Sequence, residues 1–141
     1  MKLSAKTEYA CVAMLELSAG FGSGEPVRIR KIADQHGIPS RFLVQILLQL
    51  KGAGLVVSTR GASGGYQLAK SPHDISLGEV MTVIEGPDEL PASSISAESR
   101  EARALHEAWR EVHHIEREML DGLSFATLLD RSRNSQAMYY I

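Results

Sequence analysis

The sequence predicts a mainly α-helical protein with one small β-hairpin and a long helix near the C-terminus. Apolar residues recur at helical spacing in several separate segments. One β-branched run is followed by a glycine-rich stretch and a second short strand-like run, which is typical of a hairpin. Residues 97–122 form a highly charged segment with a narrow apolar stripe. A chain of 141 residues suits one compact domain with an appended helical element.

Composition excludes several classes of protein. No apolar run reaches the roughly 18 residues of a membrane-spanning helix, and Glu8 and Glu16 interrupt the N-terminal stretch that would otherwise resemble a signal peptide. The single cysteine, Cys11, cannot form an internal disulfide, which fits a cytoplasmic protein. Residues 1–70 carry nine Lys/Arg against four acids (+5), whereas residues 71–141 carry six against thirteen (−7). A basic half of this kind indicates a face that binds polyanions.

The first half of the chain predicts three helices. Residues 5–19 are apolar on nearly every face, so this helix is expected to be buried on all sides. Residues 27–54 predict a helix, a tight turn at Gly37, and a second helix with Ser40 as its N-cap. The second of these helices has a stripe at i, i+3, i+4 and i+7 that we expect to be buried: Leu43, Ile46, Leu47 and Leu50.

The next segments complete a small domain. The runs LVVSTR and YQLAK, separated by GASGG, predict a β-hairpin, and residues 76–86 predict a helix with Ser76 and Glu79 as a capping box. The order of helix, helix-turn-helix and hairpin is the winged helix-turn-helix arrangement. We therefore predict a winged helix-turn-helix domain over residues 1–86 and a flexible Pro/Ser-rich loop over residues 87–96.

The C-terminal region predicts a dimerisation element. Residues 97–131 are expected to hold the long helix and a short terminal helix, followed by a tail over residues 132–141. The long helix is far longer than a small winged domain needs, so its stripe predicts contact with the same helix of a second subunit. The alternative is that the helix folds back on its own domain. The stripe comprises Leu105, Ala108, Trp109, Val112, Ile115 and Met119, and continues to Leu123.

The glycine-rich stretch STRGASGGYQLAK admits three interpretations. A phosphate-binding loop requires a Gly-Lys-Ser/Thr ending, which this stretch lacks, and a dinucleotide fold requires a following helix where this chain has a strand. A hairpin tip without a ligand is the second interpretation. Beside a helix-turn-helix, we favour the third, a wing that enters the minor groove of DNA. The residues assigned to the wing are Arg60, Gly61, Ser63 and Gly64.

The helix-turn-helix predicts which side chains contact DNA. Arg41 can donate twice to a guanine, Gln45 can pair with an adenine edge, and Val44 can touch a thymine methyl. With Ser40 they lie at the N-terminal end of the recognition helix, which enters the major groove. Contacts to phosphates are assigned to Lys6, Arg28, Arg30 and Lys51. Each of these charges taken alone could equally be an ordinary surface charge.

Three segments carry a resemblance to a known family. KLSAKTEYACVAMLELS, IADQHGIPSRFLVQILLQLKGAGLVVSTRGASGGYQLAK and ISLGEVMTVIEG resemble the Rrf family of winged helix-turn-helix transcription regulators, which includes the regulators IscR, NsrR and CymR. The similarity runs from Met1 to about Arg131, and RGxxGGY is its most distinctive part. The resemblance implies a homodimer that binds a palindromic operator in double-stranded DNA with two recognition helices and two wings. We predict a transcription regulator of this kind that acts as a repressor.

The chain departs from this family at the site of its iron–sulfur cluster. The resemblance places the three cluster cysteines at Arg103, Ala97 and Pro91, none of which is a thiolate. His106 matches the position of a nearby histidine, and His113 lies two turns further along, too distant to share a metal with it. We therefore predict no metal and no cofactor. The regulatory signal is left open between a small metabolite, a partner protein and oxidation of Cys11.

Two other functions compete with DNA-binding regulation. A protein-interaction module that has lost DNA binding is favoured by Glu8 and Val44, since relatives often carry a basic residue at the first position and Glu at the second. The basic half of the chain argues against this module. An enzyme would need a convergent nucleophile, acid or base, and the sequence shows no such set.

Overall fold

The computed structural model of the chain describes residues 3–139, with side chains described over residues 3–135. The elements are α1 (Ala5–Ala19), α2 (Ile29–His36), α3 (Ser40–Gly52), β1 (Val56–Thr59), β2 (Gly65–Leu68), a 3₁₀ turn (Pro72–Asp74), α4 (Leu77–Glu85), α5 (Arg100–Gly122) and α6 (Phe125–Tyr139). The prediction of a mainly α-helical protein with one hairpin is confirmed. None of the helices over the described residues is long and apolar enough to cross a bilayer.

Helix α1 lies at the centre of the molecule. It contacts α2, α3, α4, α6 and β2, which explains why nearly every face of it is apolar. The side chains of Ala10, Ala13 and Met14 are completely buried. The hydroxyl of Ser18, also buried, donates to the carbonyl oxygen of Met14 at 2.6 Å, so burying this polar group leaves no unmade hydrogen bond.

The helix-turn-helix forms as predicted, with one correction. Gly37 has φ +64°, and the N–H of Ile38 donates to the carbonyl of Ala33 at 3.0 Å, so the turn ends α2 in a left-handed conformation that glycine tolerates. Pro39, not Ser40, is the N-cap of α3; its fixed φ of −60° suits the extended residue that precedes a helix. The predicted stripe is completely buried: Leu43, Ile46, Leu47 and Leu50.

The wing is a two-stranded hairpin with a third, one-residue attachment. Val56 pairs with Leu68 and Thr59 with Gly65 in an antiparallel register. Val27, just before α2, exchanges two 2.8 Å backbone hydrogen bonds with Tyr66. This bridge holds the base of the wing against the start of the helix-turn-helix, and nothing in the local sequence pattern predicted it.

The C-terminal helices attach firmly to the winged domain. Leu77 N–H donates to the carbonyl of Leu123 at 2.7 Å, and Phe125 N–H to that of Ile75 at 3.0 Å. Phe125 is completely buried, and α6 contacts α1. The last helix continues to Tyr139, so the prediction of a tail from residue 132 is wrong for residues 132–139; residues 140 and 141 lie outside the described residues.

Candidate nucleic-acid interface

The outward face of α3 carries all four predicted base-contacting residues. Ser40, Arg41, Val44 and Gln45 are exposed, while the opposite side of the helix is completely buried. The packed stripe holds the helix rigidly against the domain, so these side chains project from a fixed surface. A protruding helix with this composition fits the major groove.

Leu48 is a residue of this face that the sequence analysis missed. It is 55% exposed and lies one turn beyond Val44. Positions 41, 44, 45 and 48 have the same i, i+3, i+4, i+7 spacing that identified the buried stripe, so the signal was present on the outward face as well. A leucine is a side chain of the kind that can contact a thymine methyl in the major groove.

Aromatic packing restrains the start of the recognition helix. The Phe42 ring lies 5.9 Å from the Tyr9 ring of α1, centroid to centroid, and the Arg41 guanidinium carbon lies 5.0 Å from the Phe42 centroid. This cation–π contact restricts the rotamers of Arg41.

The tip of the wing divides into exposed and buried residues. Arg60, Gly61 and Ser63 are exposed, as a minor-groove contact requires, but Gly64 is buried. A Cβ on Gly64 would collide with the Thr59 carbonyl oxygen, and its N–H donates to Gly61 at 3.0 Å. Gly64, one of the four residues assigned to the wing, therefore lies within the closed turn, whereas the other three are exposed.

The neighbouring glycine has a related role. A Cβ on Gly65 would lie 2.5 Å from the carbonyl oxygen of Val27, the residue that bridges to Tyr66. Only glycine lets the hairpin approach Val27 this closely. The two adjacent glycines of RGxxGGY thus have different structural roles. Gly64 lies inside the turn, and Gly65 packs against Val27 at the start of the helix-turn-helix.

Two of the predicted DNA contacts are brought together by this packing. Arg28 and Arg60 border one surface cleft of about 380 Å³, between the start of α2 and the base of the wing. Among the described residues, neither forms a salt bridge with a carboxylate. Both charges are therefore available to a phosphate or to the minor groove.

The other three predicted phosphate contacts are placed differently. Lys51 Nζ donates to Ser58 Oγ at 2.7 Å, which joins the end of α3 to β1. Arg30 lies 3.7 Å from Asp34 in an exposed i,i+4 pair that contributes little. Lys6 is half-buried and close enough to Glu85 of α4 to help lower the pKa of that carboxyl, after the hydrogen bonds from Ser4 and Thr7. Lys6 does not line the cleft that Arg28 and Arg60 share.

The long helix presents its predicted stripe to solvent. Leu105, Trp109, Val112, Ile115 and Met119 are between 44% and 65% exposed, and Ala108 is also exposed. The alternative that the stripe folds back on its own domain is not what the structure shows; the side of α5 that faces the domain carries Ala102 and Leu120 instead.

The residues of this chain do not fit a thiolate-held iron–sulfur cluster. The positions that the resemblance assigns to cysteines carry Pro91, Ala97 and Arg103, and the single cysteine lies in α1. Burial raises the pKa of the Cys11 thiol to about 11, so it stays protonated and a poor ligand. Over the described residues no group of three or more His, Cys, Asp or Glu is placed to hold a metal.

Sequence and structural comparisons agree with this geometry. The family model described as "Rrf2: Iron-dependent Transcriptional regulator" matches residues 3–131. The HTH-type transcriptional regulator CymR of Bacillus subtilis is 33% identical over 99% of this chain and 97% of its own. The HTH-type transcriptional regulator IscR of Aliivibrio salmonicida is 34% identical over 92% of this chain and 77% of its own.

Solved structures show the same architecture. The structure of B. subtilis CymR, described as the global cysteine regulator, has a TM-score of 0.83 at 32% identity, covering 93% of this chain and 98% of that one. The structure of T. potens IscR has a TM-score of 0.77 at 33% identity, covering 99% and 97%. With its helix-turn-helix, its wing and its basic face, the chain belongs to the Rrf2 family of winged helix-turn-helix, DNA-binding transcriptional regulators.

Proposed function

We propose that this regulator works in the cytoplasm as a homodimer that occupies a palindromic operator and represses transcription from it. Each subunit inserts α3 into the major groove and its wing into the adjacent minor groove. It acts by binding and not by catalysis. The observation that carries the proposal is the exposed apolar stripe of α5, on the same chain as the outward face of α3.

The stripe is what a symmetric helix pair requires. Helix α5 has 23 residues and is therefore about 35 Å long. Five large apolar side chains lie along one side of it at 44–65% exposure, whereas monomeric proteins rarely expose so continuous an apolar surface. The same helix of a second subunit is the simplest partner, because a two-fold pair covers the same surface on both chains.

The attachment of α5 to the winged domain supports a role in spacing the two DNA-binding surfaces. Arg117 Nη2 donates to Asp121 Oδ1 at 2.8 Å and to Thr82 Oγ1 of α4 at 3.1 Å. A Cβ on Gly78 of α4 would lie 2.9 Å from the same Arg117 nitrogen, so the two helices pack without room for a side chain. A dimer that pairs through α5 therefore holds its two recognition helices at a fixed separation. A fixed separation is needed to bind two half-sites whose centres lie about 34 Å apart.

Sedimentation equilibrium and operator binding test the dimer together. The wild type should have twice the chain mass of 15.4 kDa, and Ile115→Glu should sediment as a monomer, because an unpaired carboxylate in an apolar interface is strongly unfavourable. The operator probe is obtained by selecting genomic fragments with the purified wild-type protein. Ile115→Glu should bind that probe at least about 100-fold more weakly, since the second half-site is lost.

Arg103→Glu is the matched control. It also introduces a glutamate on α5, but at an exposed position on the far side of the helix from the stripe. It should remain dimeric and keep its operator affinity within a few-fold. A monomeric wild type, or an Ile115→Glu variant that stays dimeric, would contradict the proposed interface.

A further inference from the structure

One cavity lies away from α3 and the wing. It encloses about 560 Å³ between the loop that follows α4 and the first three turns of α5. This is within the range of small-molecule binding sites. Its apolar wall comes from Leu90, Pro91, Ile95, Leu105 and Trp109, and its polar groups include His106 and Arg110.

The loop over residues 87–99 lies along one side of this cavity. Near its first end, Asp88 Oδ2 lies 3.3 Å from His113 Nε2 without forming a hydrogen bond to it. At the other end, Ser99 Oγ accepts a 3.1 Å hydrogen bond from Ala102 N–H and caps α5. The cavity is thus bounded by this loop on one side and by α5 on the other.

The polar groups of the cavity favour an anion. Arg110 forms no salt bridge with any carboxylate in the part of the chain that the structure describes. The His106 ring lies 5.7 Å from the Trp109 ring, centroid to centroid, at an interplanar angle of 44°, and a ring nitrogen of His106 can donate a hydrogen bond. A guanidinium and an imidazole at the edge of an apolar wall match a carboxylate attached to an apolar body.

We propose that this cavity binds a small carboxylic acid with an apolar chain or ring. The apolar body lies against Leu105 and Trp109, and the carboxylate pairs with Arg110 and accepts from His106. This site deepens the proposed regulatory function, and its link to that function rests on the dimer proposed above: Leu105 and Trp109 also belong to the exposed stripe. An acid bound there changes the surface offered to the second subunit.

Fluorescence provides a direct test, because Trp109 is the only tryptophan of the chain. The full-length protein is titrated with octanoate and, separately, with its neutral analogue octanamide. Octanoate should shift the Trp109 emission with saturation, and octanamide should bind about tenfold more weakly. This measurement contains no DNA. A negative titration therefore does not contradict the proposed operator binding, and a failure of operator binding does not affect the titration.

Two arginine variants on α5 identify the anion-binding group. Arg110→Gln should weaken octanoate about tenfold and leave octanamide unchanged, whereas Arg103→Gln, outside the cavity, should change neither. Absence of any saturable shift, or equal binding of acid and amide in wild type and Arg110→Gln, would overturn the proposal. So would octanoate binding confined to the Ile115→Glu variant, because a second copy of the chain would then occupy the cavity in the native protein.

Discussion

The winged domain and the long helix α5 use apolar side chains in opposite ways. In the winged domain Met14 is completely buried, whereas Met119 of α5 is 65% exposed. The contrast recurs within α3, where Leu47 is buried and the adjacent Leu48 is 55% exposed. Buried apolar groups here maintain the fold, whereas the continuous exposed stripe of α5 is the surface for which a second subunit is proposed above.

Alanine substitutions of buried Met14 and exposed Met119 should give the largest difference in stability. Met14→Ala should lower the free energy of unfolding by about 2–5 kcal/mol, because it leaves a cavity in the core. Met119→Ala should leave the stability of a single subunit within about 0.5 kcal/mol, but should raise the dimer dissociation constant. Urea denaturation at several protein concentrations measures both effects. Equal loss from the two variants would show that α5 packs into its own subunit.

The next largest change in stability is expected from a glycine of the wing, Gly65, compared with Gly52 at the end of α3. Gly65→Ala should destabilise the protein by about 2–4 kcal/mol, because its Cβ would lie 2.5 Å from the Val27 carbonyl oxygen and the backbone must move. Gly52→Ala, at the end of α3 with no heavy atom within 4 Å of the added Cβ, should be neutral or stabilising by up to about 1 kcal/mol. Thermal denaturation followed by circular dichroism distinguishes them; a stable Gly65→Ala variant would contradict the close approach.

The DNA-facing residues should affect binding and not folding. Arg60→Ala and Leu48→Ala should each weaken binding to the selected operator by about 1–3 kcal/mol while leaving the thermal midpoint nearly unchanged. Lys70→Ala, paired with Glu79 at 3.3 Å beyond the wing, is the basic control and should have a smaller effect. Fluorescence anisotropy titrations measure the affinities. Unchanged operator affinity for Arg60→Ala would remove the wing from the interface.

The smallest expected effect concerns acid stability. Hydrogen bonds from Ser4 and Thr7, with the charge of Lys6, hold the pKa of Glu85 below its usual 4.5. A carboxyl with a lowered pKa stabilises the folded state above its unfolded pKa, and this contribution disappears as pH falls through the folded value. The thermal midpoint of Glu85→Gln should therefore lie slightly below that of wild type at pH 7 and converge with it in acid. A constant difference at all pH values would contradict this.

Local patterns predicted the parts of the fold that depend on local chemistry. The buried stripe of α3, the turn at Gly37 and the exposed stripe of α5 follow from periodicity and glycine geometry, and the structure has each of them. The N-cap was misplaced by one residue because Pro39 and Ser40 both suit that position. The end of α6 was missed because RNSQ has neither an apolar period nor a clear stop signal.

Features that depend on distant parts of the chain were out of reach of such patterns. The bridge from Val27 to Tyr66 joins residues far apart in sequence, and it explains both the cleft between Arg28 and Arg60 and the need for Gly65. The burial of Gly64 likewise depends on how the turn closes. Each predicted phosphate contact was only a charge in the sequence, and its ion-pair partners or neighbours became visible in three dimensions.

The close packing of α5 against α4 has a consequence for the geometry of the proposed dimer. Arg117 and the backbone hydrogen bond from Leu77 to Leu123 fasten α5 to the winged domain, so in the dimer proposed above a rotation of α5 would carry the winged domain with it. If α5, which is about 35 Å long, tilts by about 5°, its far end moves by about 3 Å. This distance is close to the rise of one base pair. In the proposed dimer, a change in the crossing angle of the two α5 helices would therefore shift the separation of the winged domains by about this distance.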